Sequence, residues 1–208
     1  MATKLAKSLA EFLFEVQVAI DLVLTDPERQ ARLAAYGYDA AALTAARAEY
    51  ERAEALTQAQ MRAYGAQMGA TADYKAARAR AEKAYKRSLT LARIVFREDV
   101  GATVALDLKG RRRQSLAGWL EQCSFFYEGL LARPERLAQM AVFGYDAAVV
   151  EAEKGLITAV QQANRAQDLA KGEAREATRV RDAQVDALAR WLSDFRVVTK
   201  IALEEETP

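Results

Sequence analysis

The densest group of charged side chains in this 208-residue chain is the run KGRRR at residues 109–113. Its four cations, Lys109, Arg111, Arg112 and Arg113, are of the type that holds the phosphates of a nucleic acid or of a headgroup. The chain as a whole is balanced, with 30 basic and 29 acidic residues, and no aromatic side chain interrupts the run. We therefore expect a solvated linker, keep the four cations as weak anion-site candidates, and expect no nucleic-acid partner.

Acidic side chains offer little catalytic chemistry. Glu11 and Glu15 lie one helical turn apart, a spacing that suits two-carboxylate acid–base chemistry, but Gly118 and Gln122 stand at the matching places of a second copy described below. We interpret the pair as a solvated helix face. The chain has no histidine, which removes the commonest general base and metal ligand and excludes the Glu-x-x-His sites of di-iron bundles. We expect no metal, no cofactor and no enzymatic activity.

Cys123 is the single cysteine, so no disulfide can form within the chain. It stands where the first copy has a core valine, and no cation is placed to lower its pKa, so we interpret it as an inert apolar side chain. A reducing compartment fits this composition. No apolar run reaches the length of a membrane span, and acidic residues interrupt the stretch that follows Lys4 and Lys7. We expect a cytoplasmic protein with no membrane span and an intact N-terminus.

The clearest pattern is an internal repeat. The stretch PERQARLAAYGYDAA at residues 27–41 returns 107 residues later as PERLAQMAVFGYDAA at residues 134–148, with ten of fifteen positions identical. We predict two helical repeats, residues 1–100 and 112–208, joined by a linker at residues 101–111. They are expected to pack as one compact bundle.

Each copy contains the same predicted corner. A proline suits the first turn of a short helix, a glycine suits its left-handed end, and an aspartate two residues later suits the cap of the next helix, with a tyrosine as a hydrophobic staple. A binding loop is the alternative, although turning the chain explains each residue type. The corners comprise Gly37, Tyr38 and Asp39 in the first copy and Gly144, Tyr145 and Asp146 in the second.

Apolar spacing extends this unit into a fold. A first helix from about Lys4 to Leu24 buries a seam that includes Phe12, Val16, Ala19 and Val23. Its copy, from about Gln114 to Leu131, has Leu116, Trp119, Cys123, Phe126 and Leu130 in the matching places. In each copy the corner leads into a long hairpin, and the first hairpin turns near residues 65–71. The second hairpin turns near Gly172, and the linker contains a short extended piece at residues 103–108. The predicted fold is all-α: two tandem copies of a helix, short helix and long coiled-coil-like helical hairpin, packed as an elongated bundle with pseudo-two-fold symmetry.

Two features remain open. Both copies keep an acid, at Asp21 and Glu128, and two arginines, which form either ion pairs or an anion pocket. The arginines are Arg87 and Arg93 in the first copy and Arg190 and Arg196 in the second. Several apolar residues lie off the helix seams and either widen the core or form an exposed patch. These are Leu13, Val18, Leu22, Leu120 and Tyr127.

The function is not determined by any motif. Long alanine-rich helices without catalytic groups favour a non-enzymatic interaction or scaffold protein, whose partner is a protein, either itself or another. The alternative is a small-molecule protein that binds a hydrophobic or anionic ligand between the two hairpins. That alternative depends on four tyrosines at helical spacing, which core packing also explains. They are Tyr50, Tyr64, Tyr74 and Tyr85.

Overall fold

The computed structural model describes residues 8–204, and over that range the chain forms seven helices and no strand. The predicted all-α class is confirmed. The predicted helix start at Lys4 lies outside the described residues. The helices are α1 (Leu9–Leu24), α2 (Pro27–Ala34), α3 (Ala40–Val95), α4 (Val100–Ala105), α5 (Leu116–Leu131), α6 (Pro134–Ala141) and α7 (Ala147–Glu204).

The starts of α1 and α5 recur at the repeat offset because both helices have a serine cap, whereas α2 and α6 share a first-turn proline but only α2 has a side-chain cap, at Asp26. Ser8 caps α1 by accepting from the Glu11 N–H at 3.2 Å, and Ser115 caps α5 by accepting from the Gly118 N–H at 3.2 Å. The Glu11 carboxylate in turn accepts from the Ser8 N–H at 2.7 Å, which completes a capping box. Glu11 therefore has a structural role at the helix terminus.

The corner between the short and long helices has the backbone that the sequence predicts. Gly37 and Gly144 have φ angles of 87° and 79°, in the left-handed region where glycine is strongly favoured. Asp39 accepts from the N–H of Ala42 at 2.8 Å, and Asp146 accepts from the N–H of Val149 at 2.9 Å. Both aspartates thus cap the long helix that follows.

The two predicted hairpins are wrong, because α3 and α7 are continuous helices of 56 and 58 residues. No proline interrupts either one, and Gly65, Gly69 and Gly172 all lie within helix. A glycine in a helix costs only about 1 kcal/mol relative to alanine, and the neighbouring Ala, Gln, Met, Lys and Glu residues favour helix. Glycine alone is therefore not sufficient to turn the chain here.

The chain divides into two compact units that do not follow the order of the sequence. Within the described residues, unit 1 comprises residues 8–65 and 172–204, and unit 2 comprises Ala66–Lys171. Because α3 and α7 do not turn back, the last part of each long helix packs with the start of the other sequence copy. Each unit therefore takes residues from both copies.

Unit 1 has a core built from α1, α2, the first part of α3 and the last part of α7. The α1 prediction was partly wrong: Val16 and Val23 are buried, but Leu13 and Ile20 are buried with them, while Phe12 and Ala19 are only half-buried. The remaining core side chains come from the other three helices. They include Leu33, Leu43, Tyr50, Leu188, Leu192 and Phe195.

Unit 2 has a core built from the last part of α3, α4, α5, α6 and the first part of α7. The seam predicted for α5 is confirmed at four fully buried side chains, and Leu116 at its start is half-buried. Tyr127, which the sequence places off the seam, is buried too, and Leu120 packs against the cluster. The buried seam residues of α5 are Trp119, Cys123, Phe126 and Leu130.

The linker between the copies contains α4, so the predicted extended piece at residues 103–108 is wrong. Asp99 caps α4 by accepting from the Ala102 N–H at 2.8 Å. Ala102, Leu106 and Leu108 are buried in unit 2. Burial of these apolar side chains favours the helical turn, since a solvated linker would leave them in water.

Candidate functional site

The outer face of α1 carries three large apolar side chains that remain in solvent. Phe14, Val18 and Leu22 are 66%, 36% and 52% exposed. Successive members are four residues apart, so they lie on one face of α1, opposite the face that contains Leu13 and the other buried side chains. We call these three residues the α1 stripe. Of the off-seam residues in the sequence, Val18 and Leu22 form an exposed patch, whereas Leu13 widens the core.

The corresponding face of α5 in unit 2 is different. Glu121, Phe125 and Gly129 stand at the positions that match Phe14, Val18 and Leu22, and of these three only Phe125 is an exposed large apolar side chain. A Cβ atom on Gly129 would lie 2.8 Å from Leu106 Cδ2 and 3.1 Å from the Ala105 carbonyl oxygen. The chain segment that contains α4 therefore packs directly against α5 at this point.

Unit 1 has an open groove at the C-terminal end of the α1 stripe, where α1 and α2 face α7. Its volume is about 430 Å³, and its walls include Leu22, Leu33 and Phe195. We call it the α1–α7 groove. Arg196 lies on its rim and forms an ion pair with Glu15. The hydroxyl of Thr199, also in the wall, is buried without a hydrogen-bond partner among the described residues.

A second cavity of unit 1, of about 450 Å³, lies between the start of α3 and the last part of α7. Trp191 stacks on Phe195 with ring centroids 4.9 Å apart, and Tyr38 meets Phe195 edge to face at 5.2 Å. Gln184 lies at the cavity and donates to the Glu49 carboxylate at 2.6 Å. The rest of the wall is apolar and includes Ala42, Ala45, Ala46 and Ala187. We call this cavity the Trp191 pocket.

Unit 2 contains a buried acid that the sequence analysis missed. The Glu153 carboxylate accepts hydrogen bonds from the Ser88 hydroxyl, from the Tyr127 hydroxyl at 3.2 Å and from Arg87 at 3.1 Å. Burial raises the pKa of the Tyr127 hydroxyl well above its usual range. With three donors on one carboxylate, this cluster is closed, and we assign it a structural role.

No periodic signal pointed to Glu153, because the first copy has Ala46 at the matching position. The available signal was the position of Glu153 on an otherwise apolar stripe of α7, where an acid is unexpected.

The basic run is not gathered into one site. Arg112 pairs with Glu82 at 3.0 Å and Arg113 pairs with Glu121, while Lys109 and Arg111 are exposed. Gln122 fixes the local backbone by donating to the Arg111 carbonyl at 3.1 Å. Of the four candidates, Arg112 alone is in the wall of a small cavity of about 200 Å³, together with Arg93 and Lys86. Anion binding by this run stays a prediction.

The acids that both copies keep form ion pairs at equivalent places. Asp21 pairs with Arg47, and Glu128 pairs with Lys154 at 3.7 Å. The two bases are 107 residues apart, as are the two acids. These contacts favour the ion-pair interpretation over an anion pocket for Asp21 and Glu128.

Burial raises the pKa of the Cys123 thiol to about 12, so the thiol is protonated at neutral pH. The expectation that no cation acts on this thiol was wrong, because Arg112 and Arg78 lower its pKa, but burial is the larger effect.

The four candidate tyrosines are not gathered into one site. Tyr50 lies in the core of unit 1, Tyr64 is exposed, Tyr85 lies in the core of unit 2, and Tyr74 is half-buried against that same core. Across residues 8–204, no group of three or more acidic or cysteine side chains is arranged to hold a metal ion.

None of the helices between residues 8 and 204 combines the length and the apolar character needed to cross a membrane. Comparison with known proteins finds no match to this chain among protein-family models, curated proteins or solved structures.

Proposed function

We propose that this chain is a non-enzymatic interaction protein that binds another polypeptide through the α1 stripe. The observation that carries the proposal is the exposure of Phe14, Val18 and Leu22 on a helix whose opposite face is already buried. A helix that is apolar on two faces normally has a second covering surface. In unit 2 the matching face has an acid at Glu121, one exposed aromatic side chain at Phe125 and a glycine at Gly129 that packs against Leu106, so the continuous apolar stripe occurs on α1 and not on α5.

We also propose how the two sequence copies are related, where the protein acts and which class of partner it binds. The two sequence copies are related by pseudo-two-fold symmetry, which the shared bounds of the α1–α2 and α5–α6 pairs support. The single cysteine supports action in a reducing compartment, and we place it in the cytoplasm. The near-neutral charge favours a protein partner over nucleic acid.

Site-specific photo-cross-linking tests the stripe. A benzophenone amino acid at Phe14, introduced in the chain's own host, should give a discrete adduct with one polypeptide. The matched control carries the same amino acid at Arg52, an exposed position of α3 in unit 1, and should give none. Equal adducts at both positions, or adducts at neither, would remove the support for a binding face on α1.

A second candidate function is the binding of a small apolar molecule in the Trp191 pocket. Its volume of about 450 Å³ falls in the range of ligand sites, and its wall combines aromatic rings with a few polar groups at Glu49 and Gln184. This candidate predicts a retained molecule of low mass in purified protein. Replacing Ala46 with Phe should fill the pocket and abolish that retention without loss of the polypeptide adduct.

A further inference from the structure

In unit 2, two side chains hold the segment made of α4 and the turn that follows it. The Nε of Arg93 donates to the Leu108 carbonyl at 2.6 Å. The side-chain amide of Gln122 donates to the Asp107 carboxylate and to the Arg111 carbonyl, both at 3.1 Å. These bonds and the burial of its leucines fix the segment. We call residues 100–108 the α4 segment.

In unit 1, the residues at the matching positions contact each other instead. Glu15 matches Gln122 at the repeat offset of 107, and Arg196 matches Arg93 at an offset of 103. The offset of 103 applies to the last parts of the long helices, where Tyr85 and Leu188 occupy matching buried positions. Glu15 and Arg196 form an ion pair at the α1–α7 groove. The two side chains that hold a segment in unit 2 thus have counterparts beside an open groove in unit 1.

Two wall positions of the groove strengthen this correspondence. Leu22 matches Gly129, against which the α4 segment packs. Thr199 matches Phe96, whose carbonyl accepts from the Thr103 hydroxyl of the α4 segment at 3.3 Å. Thr199 lies in the groove wall, and within residues 8–204 its buried hydroxyl has no hydrogen-bond partner. A buried hydroxyl without a hydrogen bond costs stability, and rotation of the Thr199 side chain toward the groove would let an incoming backbone group relieve that cost.

We propose that the α1–α7 groove binds a short helical segment of a partner polypeptide, in the way that unit 2 holds its own α4 segment. The inference rests on the proposed function and specifies the partner's chemistry. On binding, Arg196 exchanges Glu15 for a backbone carbonyl at the end of the incoming helical turn, as Arg93 does with Leu108. Small and branched apolar side chains of the partner, equivalent to Ala102 and Leu108, cover the exposed side chain of Leu22.

The side chain of Leu22 sets a size preference. Where unit 2 has Gly129, the α4 segment places Leu106 so close that a Cβ atom would contact it at 2.8 Å. Leu22 occupies the matching place in unit 1, so the partner carries a smaller residue there than leucine. A second copy of this chain cannot offer its α4 segment to the groove, because its own Ala102, Leu106 and Leu108 are buried in unit 2.

The probe for this proposal is a fluorescent peptide with the sequence of residues 99–111, DVGATVALDLKGR, and a second version with alanine at the position of Leu106. Fluorescence anisotropy with the full chain measures both affinities. The alanine peptide should bind wild type about tenfold more tightly than the leucine peptide, and Leu22→Gly should reverse that preference. Glu15→Gln, which copies Gln122 and releases Arg196, should strengthen binding several-fold.

Arg196→Leu should weaken binding of the alanine peptide about tenfold, whereas Arg190→Leu, at an exposed position of the same helix, should leave it unchanged. Circular dichroism confirms the fold of each variant. The proposal is overturned if neither peptide saturates up to about 1 mM, if Leu22→Gly fails to reverse the preference, or if self-association competes with the peptide. If Arg196→Leu and Leu22→Gly have no effect on peptide binding but the Phe14 cross-link persists, the proposed function is retained and this groove is rejected as the binding site.

Discussion

Arg93 donates its Nε hydrogen to the backbone carbonyl of Leu108 at 2.6 Å, which ties the last part of α3 to the turn after α4. The matching arginine of unit 1, Arg196, forms an ion pair with Glu15 beside an open apolar groove. Units 1 and 2 therefore differ at matching positions: in unit 2 a segment of the chain packs there, and in unit 1 the groove is open. We infer from this difference that the binding site lies in unit 1.

Replacing Gly37 with valine should lower the free energy of unfolding by about 1 kcal/mol or more. The φ angle of Gly37 is 87°, and no heavy atom lies within 4 Å of the position of an added Cβ. The cost is therefore one of backbone conformation and not of a clash. Urea denaturation monitored by circular dichroism measures it.

The matched control for that experiment is Gly65→Ala, which lies within α3 and also has open space around its Cβ position. It should raise the free energy of unfolding by about 0.5–1 kcal/mol, because alanine loses less backbone entropy in a helix. An unchanged or higher stability for Gly37→Val would contradict the left-handed corner.

Replacing Glu153 with alanine should destabilise the protein by about 3 kcal/mol, because it leaves two buried hydroxyl groups without their acceptor. Those groups are the hydroxyls of Ser88 and Tyr127. Chemical denaturation gives the change. The exposed Glu151, two residues earlier in α7, provides the control, and Glu151→Ala should stay within about 0.5 kcal/mol of wild type. Equal losses for the two variants would show that the buried cluster contributes no specific stability.

Cys123 should make stability fall with rising pH between about 9 and about 12. Burial raises the pKa of the folded thiol from its ordinary 9.0 to about 12. The folded state therefore keeps its proton while the unfolded thiol ionises, which favours unfolding across that window. Below pH 9 both states are protonated and the contribution is constant. Denaturant midpoints of wild type and Cys123→Ala, compared over this pH range, isolate the effect, and parallel pH profiles would contradict it.

Cross-linking can distinguish the continuous long helices from the hairpins that the sequence suggested. Gln184 of α7 donates to the Glu49 carboxylate of α3 at 2.6 Å. In a Cys123→Ala background, Glu49→Cys with Gln184→Cys should react with a short bismaleimide to give one intramolecular product. Glu49→Cys with Lys86→Cys, the pair that a hairpin in α3 would bring together, should not. The opposite pattern would restore the hairpins.

The sequence predicts local structure well where a side chain acts on its own backbone. Gly37, Asp39 and their copies determine the corner through φ preference and capping, which are properties of a few adjacent residues. The burial of Trp119 and Cys123 follows from helical spacing for the same reason.

The same reasoning failed where tertiary packing decides the outcome. A glycine permits a helix as well as a turn, so Gly65 and Gly172 could not show whether the long helices reverse. Which copy supplies the last part of each unit, and hence the contact between Gln184 and Glu49, depends on pairing across most of the chain. The α1–α7 groove was not predictable either, because Glu15 and Arg196 meet only after that pairing is made.

Native mass spectrometry of the protein purified from its own host tests the central claim, that this chain acts by binding another polypeptide through α1. We expect a complex heavier than the chain by the mass of a partner protein, and we expect Phe14→Ser with Leu22→Ser to release that partner while the fold is kept. A complex heavier by only a few hundred daltons would identify a small ligand, and the mass of the chain alone in both samples would show no bound partner. Either result would contradict the claim.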